Sequence, residues 1–281
     1  MAPPFRFLNV VAALAVSPLH APEVQAQEPT TAPPVTYADL ADLADDTPLV
    51  LRAQIRRQTA LSPERTTGPI APGHVRLYIE ARTLALLSGD APLGEDLRYL
   101  VDVPLDARGR PPKLKKREVL LFARPVPGRT GELQLIAPDA QLLHTPELEA
   151  RLRPILTEFA DGSVPPQVTG IRDVLSLEGA LAGESETQLF LDTADDAPIS
   201  LTIVRRPNQA PRWGASFGEI VDQSARAPRR DTLAWYRLAC GLPETLPAEV
   251  NLSDNPQDRA RAAQDYAFVR EQLGECRRNR S

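Results

Sequence analysis

Five segments between Leu49 and Ala137 alternate apolar and polar residues, and turn-forming residues separate each segment from the next. A period of two is typical of strands that bury one face, and no helical period interrupts the series. Short strands joined by turns predict an antiparallel sheet that closes into a small barrel. The expected strands begin near Leu49, Val75, Leu97, Val119 and Leu133.

The order and length of these strands resemble the OB-fold barrels of secreted modules: a long pair, a third strand, a loop, then two more strands. The resemblance covers residues 48–143. It implies a five-stranded antiparallel barrel that binds ligands across one face and its loops. The chain departs from that pattern where a Pro-rich loop replaces the usual helix between the third and fourth strands.

The second half of the chain predicts a smaller α+β domain that ends in two helices. Asp231 is the expected N-cap of the first helix, which ends near Gly241, and the second spans residues 256–273. With the barrel, this makes the expected fold mainly β, in the α+β class. The expected strands of this half cover residues 168–177, 188–193, 199–205 and 213–221.

The N-terminal segment predicts export. Arg6 precedes an apolar run at residues 7–16, and Val24 and Ala26 suit a signal-peptidase site, so cleavage is expected after Ala26. The run is too short to span a bilayer, and no later stretch is long enough either. We therefore expect a periplasmic protein with no transmembrane segment in the mature chain.

The predicted organisation separates two folded parts. Only three of the 32 basic residues are Lys, and the chain holds 29 Pro. This composition resembles that of exported proteins of GC-rich Gram-negative bacteria, a resemblance that implies no activity. The expected divisions are a signal peptide (1–26), a flexible leader (27–35), a barrel with flanking helices (36–160), a linker (161–167) and an α+β domain with C-terminal helices (168–281).

Cys240 and Cys276 are the only cysteines. In an oxidising compartment a disulfide between them is expected, and closing a loop of about 37 residues is worth about 3 kcal/mol. The alternative is two unpaired, buried thiols. Both cysteines lie at the C-terminal ends of predicted helices, so the loop between those helices must carry the chain back for the ends to meet.

One string, residues 214–218, matches the G-x-S-x-G motif of serine hydrolases. That motif needs a helix directly after Ser216, where this sequence predicts more strand, and a His later in the chain. His74 and His144 both precede Ser216. A Gly-containing strand or bulge is therefore expected, and no catalytic residue, metal ligand or cofactor is predicted. The alternative is a periplasmic hydrolase that uses Ser216 or carboxylates between the two domains.

A basic cluster precedes the fourth strand, in a chain whose net charge is −5. It predicts contact with anionic lipid head groups, lipopolysaccharide or an acidic partner. The alternative is a solvated loop whose charges protect a strand edge. Export and the few nearby aromatic residues argue against nucleic acid. The cluster consists of Arg108, Arg110, Lys113, Lys115, Lys116 and Arg117.

Because no catalytic constellation is evident, the expected function is that of an exported, non-enzymatic module. Such a module binds a partner or stabilises an envelope complex. The expected partner is an envelope protein or an anionic surface.

Overall fold

The computed structural model describes residues 34–45, 47–92, 94–162, 164–220 and 224–280. The predicted signal peptide with its cleavage site at Ala26 lies outside the described residues, as does most of the predicted leader. The described chain is mainly β, with two antiparallel sheets and four α-helices. The predicted α+β class is therefore confirmed.

The first sheet is built from the alternating segments of the N-terminal half. Its strands are β1 (Leu49–Ala60), β2 (His74–Ser88), β3 (Asp96–Pro104), β4 (Glu118–Pro125), β5 (Leu133–Leu135) and β6 (Gln141–Leu143). They pair in the order β3-β2-β1-β4-β5, and β6 pairs with β4 as well. Leu77 and Ile79 of β2 are fully buried, whereas Tyr78 between them is half-buried. One face of β2 therefore forms core and the other faces outward.

The predicted five-stranded barrel is corrected to an open sheet of six strands. β5 has three residues, and the parallel bridge at this edge joins Arg98 of β3 to Glu132, the residue just before β5. Two more hydrogen bonds join this edge: Arg98 N donates to Gly131 O and Asp102 N donates to Pro138 O. The predicted fifth strand breaks at a turn that contains Pro138, because proline has no N–H to donate to a ladder. The chain then resumes pairing with β4 as β6, a strand that was not predicted.

The second sheet begins at Val168. Its strands are β7 (Val168–Glu178), β8 (Ser185–Thr193), β9 (Ile199–Arg205) and β10 (Arg212–Phe217), in the order β10-β9-β8-β7. The predicted hairpin of β8 and β9 is confirmed, with Leu189 opposite Leu201. β10 ends earlier than predicted, and bends follow it at residues 218–220.

The helices are α1 (Tyr37–Asp45), α2 (Pro146–Ala160), α3 (Leu233–Gly241) and α4 (Pro256–Leu273). The Thr145 hydroxyl caps α2 by accepting a hydrogen bond from Leu148 N. The predicted cap of α3 was wrong by one residue: the Thr232 hydroxyl accepts from Trp235 N. A capping residue needs extended backbone, and Asp231 instead has a φ of 58°.

Helix α1 connects the N-terminal and C-terminal halves of the sequence. The Arg237 guanidinium of α3 makes a bidentate ion pair with Asp45, and the Tyr236 hydroxyl donates to Asp42. The predicted disulfide between Cys240 and Cys276 is present, with Cα atoms 5.2 Å apart. These contacts join α1 to α3 across the predicted domain boundary at residues 161–167. That boundary therefore remains a prediction.

A buried polar network fixes α4 to the second sheet. Asp265 of α4 is fully buried, and its carboxylate accepts a hydrogen bond from the Thr187 hydroxyl at 2.5 Å. The Arg205 Nε lies 2.6 Å from the other carboxylate oxygen, and the Ser176 hydroxyl lies 2.9 Å from that of Thr187. Because the buried charge is paired and hydrogen-bonded, α4 is held at one position on the sheet.

Candidate functional site

A cleft of about 680 Å³ lies on the outward face of β2 and β3, where β3 meets residues 131–138. The β1–β2 loop contributes Thr67 to its wall, and residues 126–132 contribute the opposite side. Leu100 of β3 lies in this cleft and is 40% exposed, whereas its neighbours Tyr99 and Val101 are buried. The cleft therefore presents apolar surface to solvent in the middle of a strand.

An ion pair fixes one wall of the cleft. Arg76 of β2 lies opposite Asp102 of β3, with Nε 2.7 Å from Oδ1 and Nη2 2.8 Å from Oδ2. The Asp102 hydrogen bond raises the pKa of the Arg76 guanidinium, against the opposing effect of burial. Arg76 also donates to the carbonyls of Thr67 and Pro69. Bidentate pairing and these carbonyl contacts tie the β1–β2 loop to the sheet, so the wall is preorganised.

Arg98 supplies an available positive charge at the cleft. Its side chain is exposed and has no ion-pair partner within the part of the chain that the structure describes. Arg129, on the far side, is paired with Glu132 at 3.2 Å. The cleft thus combines apolar contacts at Leu100 and Ile136 with one guanidinium that can bind a polar or anionic group.

The predicted basic cluster lies on the loop between β3 and β4, and all six of its side chains are exposed. The backbone of this loop is fixed to β1. The Leu114 side chain is buried, and its N–H donates to Gln58 Oε1 at 2.6 Å. Gln58 Nε2 in turn donates to Pro112 O at 2.8 Å, and Lys116 N donates to Ile55 O at 2.8 Å. The charges therefore project from an anchored loop.

One of the six charges is neutralised locally. Arg110 Nη2 lies 3.0 Å from Asp106 Oδ2. The Arg110 backbone N–H and guanidinium lower the pKa of Asp106. The other five cluster members have no ion pair among the described residues, so they remain available to an anionic surface.

The serine-hydrolase motif lies in and just after β10. Ser216 is inside the strand, opposite Ser200, and bends rather than a helix follow Phe217. Gly214 has a structural reason to be glycine: a Cβ there would lie 2.1 Å from the carbonyl oxygen of Ala225. The expected Gly-containing strand is what the structure contains, and Gly214 permits another segment to cross it closely.

The two histidines of the described chain lie in different surroundings. His74 Nδ1 is 3.1 Å from Pro72 O, and His144 Nε2 is 2.8 Å from Glu149 Oε2. Within the described ranges, no group of three or more His, Cys, Asp or Glu side chains is placed to hold a metal ion.

A polar cluster around Glu149 holds the start of α2 against β1. Besides His144, Glu149 contacts Arg153, and Arg52 Nη1 lies 3.4 Å from its Oε2. Burial raises the pKa of Glu149, but the hydrogen bonds from Arg153 and His144 outweigh it and leave the pKa below its ordinary value. The carboxylate is thus ionised and paired in the folded protein.

Sequence reasoning identified the basic cluster and missed the cleft. Arg76 and Asp102 occupy outward positions of predicted strands, where charged residues are ordinary. Only the pairing register brings them opposite one another. The sequence shows only an Arg on one predicted strand and an Asp on the next. Without the pairing register, these two residues do not predict an ion pair.

None of the described helices has the length and apolarity to cross a membrane. No protein-family model matches the chain, and no curated protein matches it.

Proposed function

We propose that this chain is an exported, periplasmic, non-enzymatic module that binds an extended segment of an envelope protein in the cleft on β2 and β3. The observation that carries the proposal is the open cleft itself, with exposed Leu100 at its centre and a preorganised Arg76–Asp102 wall. A concave site with exposed aliphatic side chains and a few fixed polar groups is the usual form of a binding site. Export is supported by the N-terminal apolar run and by the disulfide, which suits an oxidising compartment.

The strand arrangement supports an OB-like assignment for the first sheet. β1, β2 and β3 form a meander, β1 also pairs with β4, and Arg98 of β3 forms an isolated parallel bridge with Glu132, just before β5. In OB-folds, ligands bind on the face of the second and third strands and on the loops at its ends. The cleft lies on that face.

The chemistry of the cleft favours a peptide segment. Leu100, Leu135 and Ile136 offer aliphatic contacts, and the Tyr99 hydroxyl is already hydrogen-bonded to Gln141 at 2.6 Å. The pairing between β3 and residues 131–138 is sparse, so an extended segment that pairs with β3 competes with few backbone hydrogen bonds. Strand addition obtains affinity from backbone hydrogen bonds and specificity from side-chain contacts.

The basic cluster on the β3–β4 loop is proposed as a second contact, with an anionic surface of the envelope. Its exposed charges at Lys113, Lys115 and Lys116 attract such a surface over distances near the Debye length, about 8–10 Å at physiological salt. This contact brings the module to the envelope, and the cleft selects the partner.

Site-specific photo-crosslinking tests the cleft. A photoreactive phenylalanine replaces Leu100 in one variant and Leu143, which is 46% exposed on β6, in the control. Crosslinking in intact cells should attach an envelope-protein segment to position 100 and not to position 143. The attached peptide is identified by mass spectrometry. Its crosslinking to position 100 should be lost when Arg98 is also changed to Glu. Equal labelling from both positions, or none from position 100, contradicts the proposal.

A further inference from the structure

A second site, independent of the proposed peptide cleft, lies on the outward face of the second sheet. Three arginine side chains line one cavity of about 350 Å³ there: Arg206 after β9, Arg212 in β10, and Arg226. The lining of this cavity contains no Asp or Glu among the described residues. Its remaining polar groups include the Gln209 side chain. The cavity is therefore strongly positive.

These three arginines differ from two other arginines of the second sheet. Arg205 is paired with Asp265, and Arg172 is paired with Asp192. Arg206, Arg212 and Arg226 have no ion pair with any described residue. The three positive charges that line this cavity repel one another, so an anion bound between them reduces that repulsion.

The backbone is arranged to assemble this site. Ala225 and Arg226 cross over β10 at Gly214, where a Cβ would lie 2.1 Å from Ala225 O and 2.8 Å from Arg226 N. Ala215 N donates to Arg226 O at 3.3 Å and fixes the crossing. Only glycine at position 214 lets this segment lie against the strand and bring Arg226 to the cavity.

We propose that this cavity binds a phosphate group. Guanidinium groups match the planar, bidentate geometry of phosphate oxygens, and several of them can contact one phosphate at once. A phosphate carries between one and two negative charges near neutral pH, which suits a site of three cations better than a single carboxylate does. A phosphate bound there would accept hydrogen bonds from these arginines, and none of the described lining residues carries a competing carboxylate.

The phosphate is either free or part of a lipid head group. A groove next to the cavity bears on the choice between these two sources. A groove of about 520 Å³ adjoins the cavity and shares Val204 and Arg206 with it. Leu175 and Leu177, which are 37% and 57% exposed, line this groove together with Glu178, Glu184 and Glu186. An acyl chain attached to the phosphate would contact the leucines but would also lie beside the three carboxylates, so the free anion is the favoured source.

The test is calorimetric titration of the full chain at low ionic strength with inorganic phosphate, pyrophosphate and acetate. Vesicles of phosphatidylcholine with and without phosphatidylglycerol form the lipid arm. We expect phosphate or pyrophosphate to bind more tightly than acetate if the source is free, and anionic vesicles to bind if it is a lipid.

Variants decide whether binding is at this site. Arg212→Ala/Arg226→Ala should weaken binding about tenfold or more, since it removes two of the three guanidinium groups that contact the phosphate. Arg151→Ala, which removes an exposed arginine from α2, should bind like the wild type. Lys115→Glu/Lys116→Glu should also leave phosphate binding unchanged, which separates this site from the basic cluster. A wild-type far-UV spectrum and unfolding midpoint establish that each variant is folded, and Arg206→Ala is a milder variant of the same site.

Absence of binding by phosphate, pyrophosphate and anionic vesicles overturns the proposal. So does binding that survives unchanged in the folded Arg212→Ala/Arg226→Ala variant. Loss of cleft crosslinking has no bearing on these results, because Leu100 lies on the other sheet.

Discussion

Cys276 is disulfide-bonded to Cys240, and the residues that follow it lie against α1. The backbone N–H groups of Asn279 and Arg280 each lie 3.0 Å from Asp39 Oδ1. Asp39 is buried in α1 and also accepts from Thr36 N at 2.8 Å. One carboxylate therefore joins the start of α1 to the C-terminal tail, and the disulfide holds that tail in reach.

Removing the disulfide should release the tail. Cys276→Ser should lower the free energy of unfolding by about 3 kcal/mol, because the cross-link no longer restricts the unfolded chain. Hydrogen exchange in α1 should accelerate, since Asp39 loses its contacts with residues 279 and 280. Urea unfolding and exchange mass spectrometry measure the two effects. Reductant should lower the stability of the wild type and leave Cys276→Ser unchanged; equal sensitivity would contradict this account.

Arg205 should be far more important to stability than an exposed arginine on the same sheet. Arg205→Met leaves the fully buried Asp265 carboxylate without its cation, and breaking such a pair costs about 3–5 kcal/mol. Arg172→Met is the control, because its pair with Asp192 is half-exposed and worth about 1 kcal/mol or less. Urea denaturation of both variants gives the comparison. Similar losses in the two would show that Asp265 is not held as an ion in the folded protein.

Glu149 should make the fold sensitive to acid. Its pKa is lowered in the folded protein, so its stabilising effect is present above the unfolded-state pKa of about 4.3 and is lost as pH falls through the folded-state pKa. Glu149→Gln should therefore flatten the decline in stability between about pH 5 and about pH 3. Thermal unfolding across that range measures it. Glu64→Gln, which alters an exposed carboxylate with no ion pair among the described residues, serves as the control.

The two glycines of the G-x-S-x-G string should respond differently to substitution. Gly214→Ala should destabilise the protein by about 1–3 kcal/mol, because its Cβ has no room beneath Ala225. Gly218→Ala, where nothing lies within 4 Å of the added carbon, should change stability by about 0.5 kcal/mol or less. Chemical denaturation distinguishes them. Labelling of Ser216 by a fluorophosphonate probe would instead favour the hydrolase alternative.

The basic cluster should give salt-sensitive binding to anionic vesicles. In the Arg212→Ala/Arg226→Ala background, which removes any contribution of the arginine cavity, Lys115→Glu/Lys116→Glu should abolish cosedimentation at low salt, since each basic residue near the surface contributes about 1 kcal/mol. Lys115→Arg/Lys116→Arg keeps the charges and should bind like the wild type. If the wild type fails to bind such vesicles at low salt, the cluster is only a solvated loop.

Local patterns predicted most of the elements. The strands β1 to β4, the β8–β9 hairpin and helix α4 were expected near their observed bounds, because alternation and capping residues act over a few neighbours. The barrel was not predictable in the same way. Its closure depends on whether β5 pairs along β3, and a turn at Pro138 interrupts that pairing.

Whether a candidate site could be predicted also depends on how far apart its residues lie in the sequence. The basic cluster is contiguous in sequence, so its charge was evident from residues 108–117 alone. The peptide cleft and the arginine cavity each combine residues from separate strands and loops. Arg212 and Arg226 meet only because a glycine lets one segment cross another, a contact that no local spacing encodes.

The sequence by itself determined the class of the fold, the positions of most strands and the pairing of Cys240 with Cys276. These follow from short-range periodicity and from having only two cysteines. The tertiary structure alone decided that the first sheet stays open, that Asp39 joins the two ends of the described chain, and that three arginines share one cavity. Those outcomes depend on register and on the close approach of distant segments, which are settled only when the whole chain packs.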